Sequence, residues 1–228
     1  MSEDLRFVTV VTYGRTGSTV IQAALNALPG VVVRGENYAA MRGLYAYSQS
    51  IEETADRHHA GKATHPWFGS ARLSPSDVLA DLRRHVVDTV LRPRADTRWI
   101  GFKEVRYEPG HFESYDLLLD YLLFLGKLFP GLRYLINVRD PATAARSGWW
   151  PGNANAAEVL ATTREWLTDA MADLTGILGD GRAALVDYDG WNGRPDVLSA
   201  AFGSLGLPAD DAAVREVVLA RLEHGPHS

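Results

Sequence analysis

The chain opens on a segment that few folds can hold. Phe7 to Thr12 (FVTVVT) is an apolar, β-branched run suited to a short buried strand. The glycine turn Tyr13 to Ser18 (YGRTGS) follows at once. Thr19 to Leu28 then carries Val20, Ala23, Ala24, Ala27 and Leu28 at helical spacing, and Pro29-Gly30 stops it. The chain therefore begins strand, glycine turn, helix, and the rest keeps that rhythm. Val31–Val33, Arg98–Val105, Arg133–Val138 and Ala183–Val186 read as strands. Tyr38–Ser50, Ser74 to about Leu91, Ser114–Phe129, Ala156–Leu178, Pro195–Leu205 and Asp210–Leu222 read as helices, and Arg139-Asp140-Pro141 opens one more. This alternation predicts an α/β fold: a single domain over residues 1–228, with a mainly parallel β-sheet flanked by helices. A chain of 228 residues, 46% of them hydrophobic, has enough material for the core. Only Ile51 to Pro75 breaks the pattern. It holds His58, His59, His65, Trp67 and Phe68 and reads as an irregular segment of the kind used for lids and binding loops.

Ligands of such sheets bind beyond the carboxyl ends of the strands. Three features fall there: Gly14 to Thr19, Lys103-Glu104 and Arg139. In the first, Gly14 and Gly17 let the backbone bend and approach a ligand closely. The free N–H groups at the following helix start then face that ligand, with the helix dipole favouring an anion. Arg15 adds a charged fork, and Ser18 and Thr19 add hydroxyl donors. The ATPase phosphate loop needs G-x-x-x-x-G-K-[ST]. Here the spacing is G-x-x-G, and no Lys precedes Ser18.

Composition narrows the partners. Lys plus Arg number 23 and Asp plus Glu 28, a formal net charge of −5 that disfavours a general nucleic-acid binder. The absence of cysteine excludes disulfides, thiolate catalysis and Cys-ligated metals. Met1 to Arg6 lacks the basic and apolar regions of a signal peptide. Leu117 to Phe129, the most apolar stretch, is interrupted by Asp120 and Lys127 and is too short to span a membrane. A cytoplasmic protein with no membrane span and no nucleic-acid partner is expected.

The loop TYGRTGST, residues 12–19, resembles the 5′-phosphosulfate loop of sulfotransferases that use 3′-phosphoadenosine 5′-phosphosulfate (PAPS), which commonly reads like YPKSGTT or PRSGTT. A second resemblance lies in Arg139 to Ser147 (RDPATAARS). That family binds the 3′-phosphate with an Arg at a strand end and a Ser eight positions later in the next helix, the spacing of Arg139 and Ser147. A bidentate Arg beside a hydroxyl is a sensible clamp for a phosphate dianion. The likeness spans residues 7–150 and is loose between the two motifs. The Arg-Lys-Gly stretch of eukaryotic cytosolic members is missing, and Val20 stands where those members place a Trp.

The resemblance implies a P-loop-like sulfotransferase fold and transfer of a sulfuryl group from PAPS to a hydroxyl of a small molecule, glycan or peptide. The product would be 3′-phosphoadenosine 5′-phosphate (PAP), and no metal is needed. Gly14, Arg15, Thr16, Gly17, Ser18 and Thr19 would hold the 5′-phosphosulfate, with Arg15 also acting in catalysis. Arg139 and Ser147 would hold the 3′-phosphate, and Tyr188, after the late strand, would neighbour adenine. Glu36, in RGEN after the second strand, is the expected general base, with Glu104 in reserve. Lys103 would stabilise the departing charge. Structural roles stay open: Glu36 could pair with Arg34 or Arg42, and Arg139 with a surface carboxylate. The histidines, His111 included, lack a metal signature such as H-E-x-x-H. Trp67, Phe68, Trp149 and Trp150 suit an acceptor slot, and Trp149-Trp150 on a helix equally suit the core. The rival readings are a nucleotide or small-molecule kinase with a degenerate P-loop and a non-catalytic nucleotide-binding module.

Overall fold

The computed structural model describes residues 5–57 and 61–224. Its strands are β1 (Arg6–Thr12), β2 (Val31–Arg34), β3 (Trp99–Glu104), β4 (Arg133–Val138) and β5 (Ala183–Asp187). They form one sheet in the order β2-β3-β1-β4-β5, and every pairing is parallel. The chain leaves β1 for the far edge at β2, returns to β3, and then crosses to β4 on the other side of β1. The carboxyl end of β1 is therefore the point where the winding reverses, and a crevice opens there between the exits of β3 and β4.

Both faces of the sheet are covered, so the strands read as continuous apolar runs. The helices are α1 (Ser18–Ala27), α2 (Ala40–Asp56), α3 (Pro75–His85), α4 (Tyr115–Leu128), α5 (Pro141–Ala145), α6 (Ala156–Leu178), α7 (Tyr188–Trp191), α8 (Pro195–Ser204) and α9 (Asp211–His224). On one face Val8, Val10, Val33 and Leu135 pack with Ile21 and Leu25 of α1, Phe202 of α8 and Val214 of α9. On the other, Phe7, Val11, Phe102 and Ile136 pack with Leu122 and Leu125 of α4 and Leu167 and Leu174 of α6. Each fully buried side chain of this size contributes about 1.5–3 kcal/mol. At the centre, Gly101 lies so close to β1 that a methyl group on it would fall 1.5 Å from the Val8 carbonyl oxygen.

Helix starts follow local chemistry. Ser74, Ser114 and Asp140 accept from the backbone N–H groups of Asp77, Leu117 and Thr143, capping α3, α4 and α5. Helix α1 differs: its N-cap is Gly17 in the left-handed region, and no side chain caps it. Two sequence expectations need correction. The helix from Tyr38 does not stop at Ser50 but continues in α2 to Asp56, so the irregular segment is shorter than expected. The helix after Arg139 ends at Ala145, so Ser147 lies past its end rather than within it. The stretch read as one helix from Ser74 to Leu91 changes to π-helical geometry at Val86. Among the described residues, no helix is long and apolar enough to cross a membrane.

Candidate active site

The glycine turn is fixed from beneath by a buried polar network. Thr12 Oγ1 donates to the Asn137 carbonyl at 2.6 Å and shares a hydrogen bond with Thr16 Oγ1 at 2.7 Å. Asn137 Nδ2 donates to the Thr16 carbonyl, and Asn137 Oδ1 accepts from Trp191 Nε1, both at 2.9 Å. Thr16 is thus a bracing residue with its side chain buried. From above, the Trp149 ring sits where a side chain on Gly14 would be, 2.3 Å from an added methyl, and Tyr188 does the same at Gly17, at 2.5 Å. These glycines are required by what packs on them.

The cleft over this turn is lined by Gly14, Arg15, Gly17, Ser18, Thr19, Glu36, Lys103, Val105, Arg139, Trp149 and Tyr188, with a volume of about 140 Å³. On its floor, no side chain caps α1; the Val20 N–H bonds to the Gly17 carbonyl at 2.9 Å, and the N–H groups of Ser18 and Thr19 ahead of it are the kind of donors that suit an anion. Arg15 holds a left-handed backbone at φ 71° and reaches across to Ser147, its Nε donating to Oγ at 3.2 Å. Arg139 donates from Nη1 to the Arg15 carbonyl at 2.8 Å and lies 4.2 Å from the centre of the Tyr188 ring. Its Nε is buried without a hydrogen-bond partner, and among the described residues no carboxylate pairs with it. The Tyr13 hydroxyl accepts from the Arg139 N–H and donates to the Arg139 carbonyl. Burial pushes this hydroxyl up to about 12, so it remains protonated and able to donate at neutral pH.

The opposite wall carries alternating charges. Lys103, buried on β3, donates from Nζ to Glu36 Oε1 at 2.8 Å. Arg106 Nη1 lies 3.3 Å from Glu36 Oε2 and 2.7 Å from Glu104 Oε1. Burial alone would raise the Glu36 carboxyl, but the hydrogen bond and charge of Lys103 and the charge of Arg106 outweigh it and hold the group below its usual value. The Glu36 side chain keeps 34% of its surface exposed. Glu104 is enclosed and also accepts from the N–H groups of Ala39 and Val105, at 2.7 and 2.8 Å. It anchors the start of α2 and has no free face for a substrate.

Glu36 pairs with neither Arg34 nor Arg42. Arg34 donates to the Leu91 and Arg92 carbonyls, and Arg42 lies over Phe112. Trp150 is in the core, whereas Trp149 is 62% exposed at the cleft. Trp67 and Phe68 are exposed in the irregular segment, where the His65 ring accepts from the Trp67 N–H. His111 sits 3.2 Å from Glu108, and His58 and His59 lie outside the described residues. Among the described residues no cluster of His, Asp or Glu forms a metal site. Sequence reading missed Tyr13, Arg106, Asn137 and Trp191. Only Arg106, two residues beyond Glu104, carried a local signal. The others meet through pairing of distant strands.

Residues 8–190 match the model of the sulfotransferase family. No curated protein matches by sequence. Among solved structures, the sulfotransferase domain of the Synechococcus PCC 7002 olefin synthase is similar at 17% identity and TM-score 0.56, over 95% of this chain and 79% of that one. The sulfotransferase domain from the curacin biosynthetic pathway gives 15%, 0.54, 93% and 77% for the same measures. Sulfotransferase STF9 from Mycobacterium avium gives 16%, 0.53, 100% and 70%. Identities this low speak for a shared fold. The family pattern, in contrast, runs from within β1 to within α7, and on that ground the chain belongs to the sulfotransferase family.

Proposed function

We propose that this protein transfers a sulfuryl group from PAPS to an acceptor hydroxyl. The observation that carries the reading is the meeting in one cleft of the uncapped start of α1 with Arg15 and of Arg139, whose buried Nε has no hydrogen-bond partner, opposite the Lys103–Glu36 pair. The α1 amides, Arg15, Ser18 and Thr19 would hold the 5′ end of the donor. Arg139 and Ser147 would hold the 3′-phosphate, with Tyr188 beside the nucleoside. Bound there, the donor supplies an activated sulfuryl group and leaves as PAP.

Glu36 accepts the acceptor's hydroxyl proton as the new S–O bond forms and the bridging S–O bond breaks. Lys103 turns from Glu36 to the phosphate oxygen that receives the bond's electron pair. Arg15 faces the charge growing on the sulfuryl oxygens. Positioning and fixed positive charge carry the catalysis, as in phosphoryl transfer. The Lys103–Glu36 pair also gives the residues an order: anion binding frees Glu36 from one of its two cations and makes it more basic.

Calorimetric titration with PAP, beside ADP and ATP–Mg²⁺, tests this reading. PAP is expected to bind well above ADP, and Arg139→Ala to weaken PAP by tenfold or more, on the order of one charge-assisted hydrogen bond. Preference for ATP–Mg²⁺, or no binding of PAP, would overturn it in favour of a kinase or a different binding module.

A further inference from the structure

Two residues past Glu36, the backbone turns through the left-handed region twice in succession, at Tyr38 (φ 57°) and Ala39 (φ 56°). Neither is glycine, and each such residue costs about 1–3 kcal/mol unless its surroundings over-determine it. Here they do. The Ala39 N–H is taken by the buried Glu104 carboxylate at 2.7 Å, and Asn37 Oδ1 accepts from the Ala40 N–H at 3.0 Å. The Arg106 guanidinium lies 4.4 Å from the centre of the Tyr38 ring. The result of this strain is an aromatic side chain left 82% exposed two residues along the chain from Glu36, a poor use of a tyrosine for folding. The same Arg106 touches both this ring and the Glu36 carboxylate, so platform and proposed base are held by one group.

We infer that Tyr38 is the acceptor platform and that the acceptor carries its hydroxyl on a flat aromatic ring, a phenol, which stacks on Tyr38 with the hydroxyl directed to Glu36. This rests on the sulfotransferase reading above and narrows it. A flat ring gains most from an exposed aromatic face. The base agrees with this class. With Lys103 turned to the donor, Glu36 still pairs with Arg106 at 3.3 Å, and a carboxylate so held is a weak base that suits an acidic hydroxyl. Phenols ionise near 10, as tyrosine does, far closer to such a base than an aliphatic hydroxyl, which like water ionises only at much higher pH. The step is balanced: the phenol oxygen bonds to sulfur, its proton passes to Glu36, and the bridging bond's electrons leave with PAP.

The test uses the full chain with PAPS, 2-naphthol and a saturated cyclic alcohol of similar size. Wild type is expected to sulfate 2-naphthol in preference to the alcohol. Tyr38→Ala should raise KM for 2-naphthol about tenfold, with kcat changed far less, and Tyr38→Phe should restore it. Tyr38→Gly should lose the same affinity yet unfold at equal or higher urea concentration, because glycine relieves the left-handed strain. PAP titration of each protein separates the two levels. PAP binding with unchanged KM in Tyr38→Ala, or with the alcohol preferred, overturns the phenol inference alone. Failure of wild type to bind PAP overturns the donor reading and this inference with it.

Discussion

Glu36 is gripped by two cations, and that grip sets what its replacement should do. Glu36→Gln keeps a hydrogen-bonding side chain of the same length, so PAP binding should stay close to wild type, while turnover falls about 100-fold or more, the usual scale for a lost general base. In wild type the carboxyl sits below the ordinary 4.5, so it is ionised throughout the neutral range. The acid limb of kcat/KM for the donor, which reports the free enzyme, is therefore expected below pH 4.5. A limb near pH 6 would assign the titration to another group. The same lowering has a sign for stability. The pair's contribution is complete above the unfolded value and is lost as pH falls through the folded one. Arg106 belongs to the same scale. Arg106→Leu leaves Glu104 enclosed without its cation and should cost about 3 kcal/mol in urea unfolding, with Arg106→Lys recovering part of it.

Strand β3 shows how an element reaches its place. Gly101 is the one position where it lies against the Val8 carbonyl, so Gly101→Ala should force β1 and β3 apart and cost about 3 kcal/mol or more. Urea denaturation checks this, and an unchanged midpoint would mean the strands separate freely. The same strand delivers Lys103 to one face and Glu104 to the other, an outcome of period-two alternation that was readable from the sequence. So were the alternation of strands and helices, Ser74 as a helix start, and the coincidence of glycines and Arg15 after β1. Less legible was what one carboxylate does next to another. Glu36 and Glu104 look alike as letters, and only their surroundings separate an accessible group from a structural anchor. Ser147 was legible by spacing but not by element, because the helix after Pro141 stops at Ala145, short of it.

At the scale of the whole molecule, the two proposed anion holders come from chain segments more than 120 residues apart, and one side chain joins them. The Tyr13 hydroxyl, on the β1 exit, binds both backbone groups of Arg139 on the β4 exit. Tyr13→Phe removes that link and leaves two partly buried backbone groups without a partner, at about 1–3 kcal/mol. Calorimetry should show weaker PAP binding in this variant although no residue proposed to touch the ligand has changed, and full retention would mean that the strand ends hold their spacing without it. The bare start of α1 has a consequence of another kind. With no hydrogen-bond acceptor from the chain, the leading amides at Ser18 and Thr19 should trade hydrogen for deuterium quickly in heavy water, while the strands on either side hold theirs. A bound anion would slow those few amides and little else. The open end of one helix thus makes the protein its own isotopic reporter of occupancy, readable on a single short peptide.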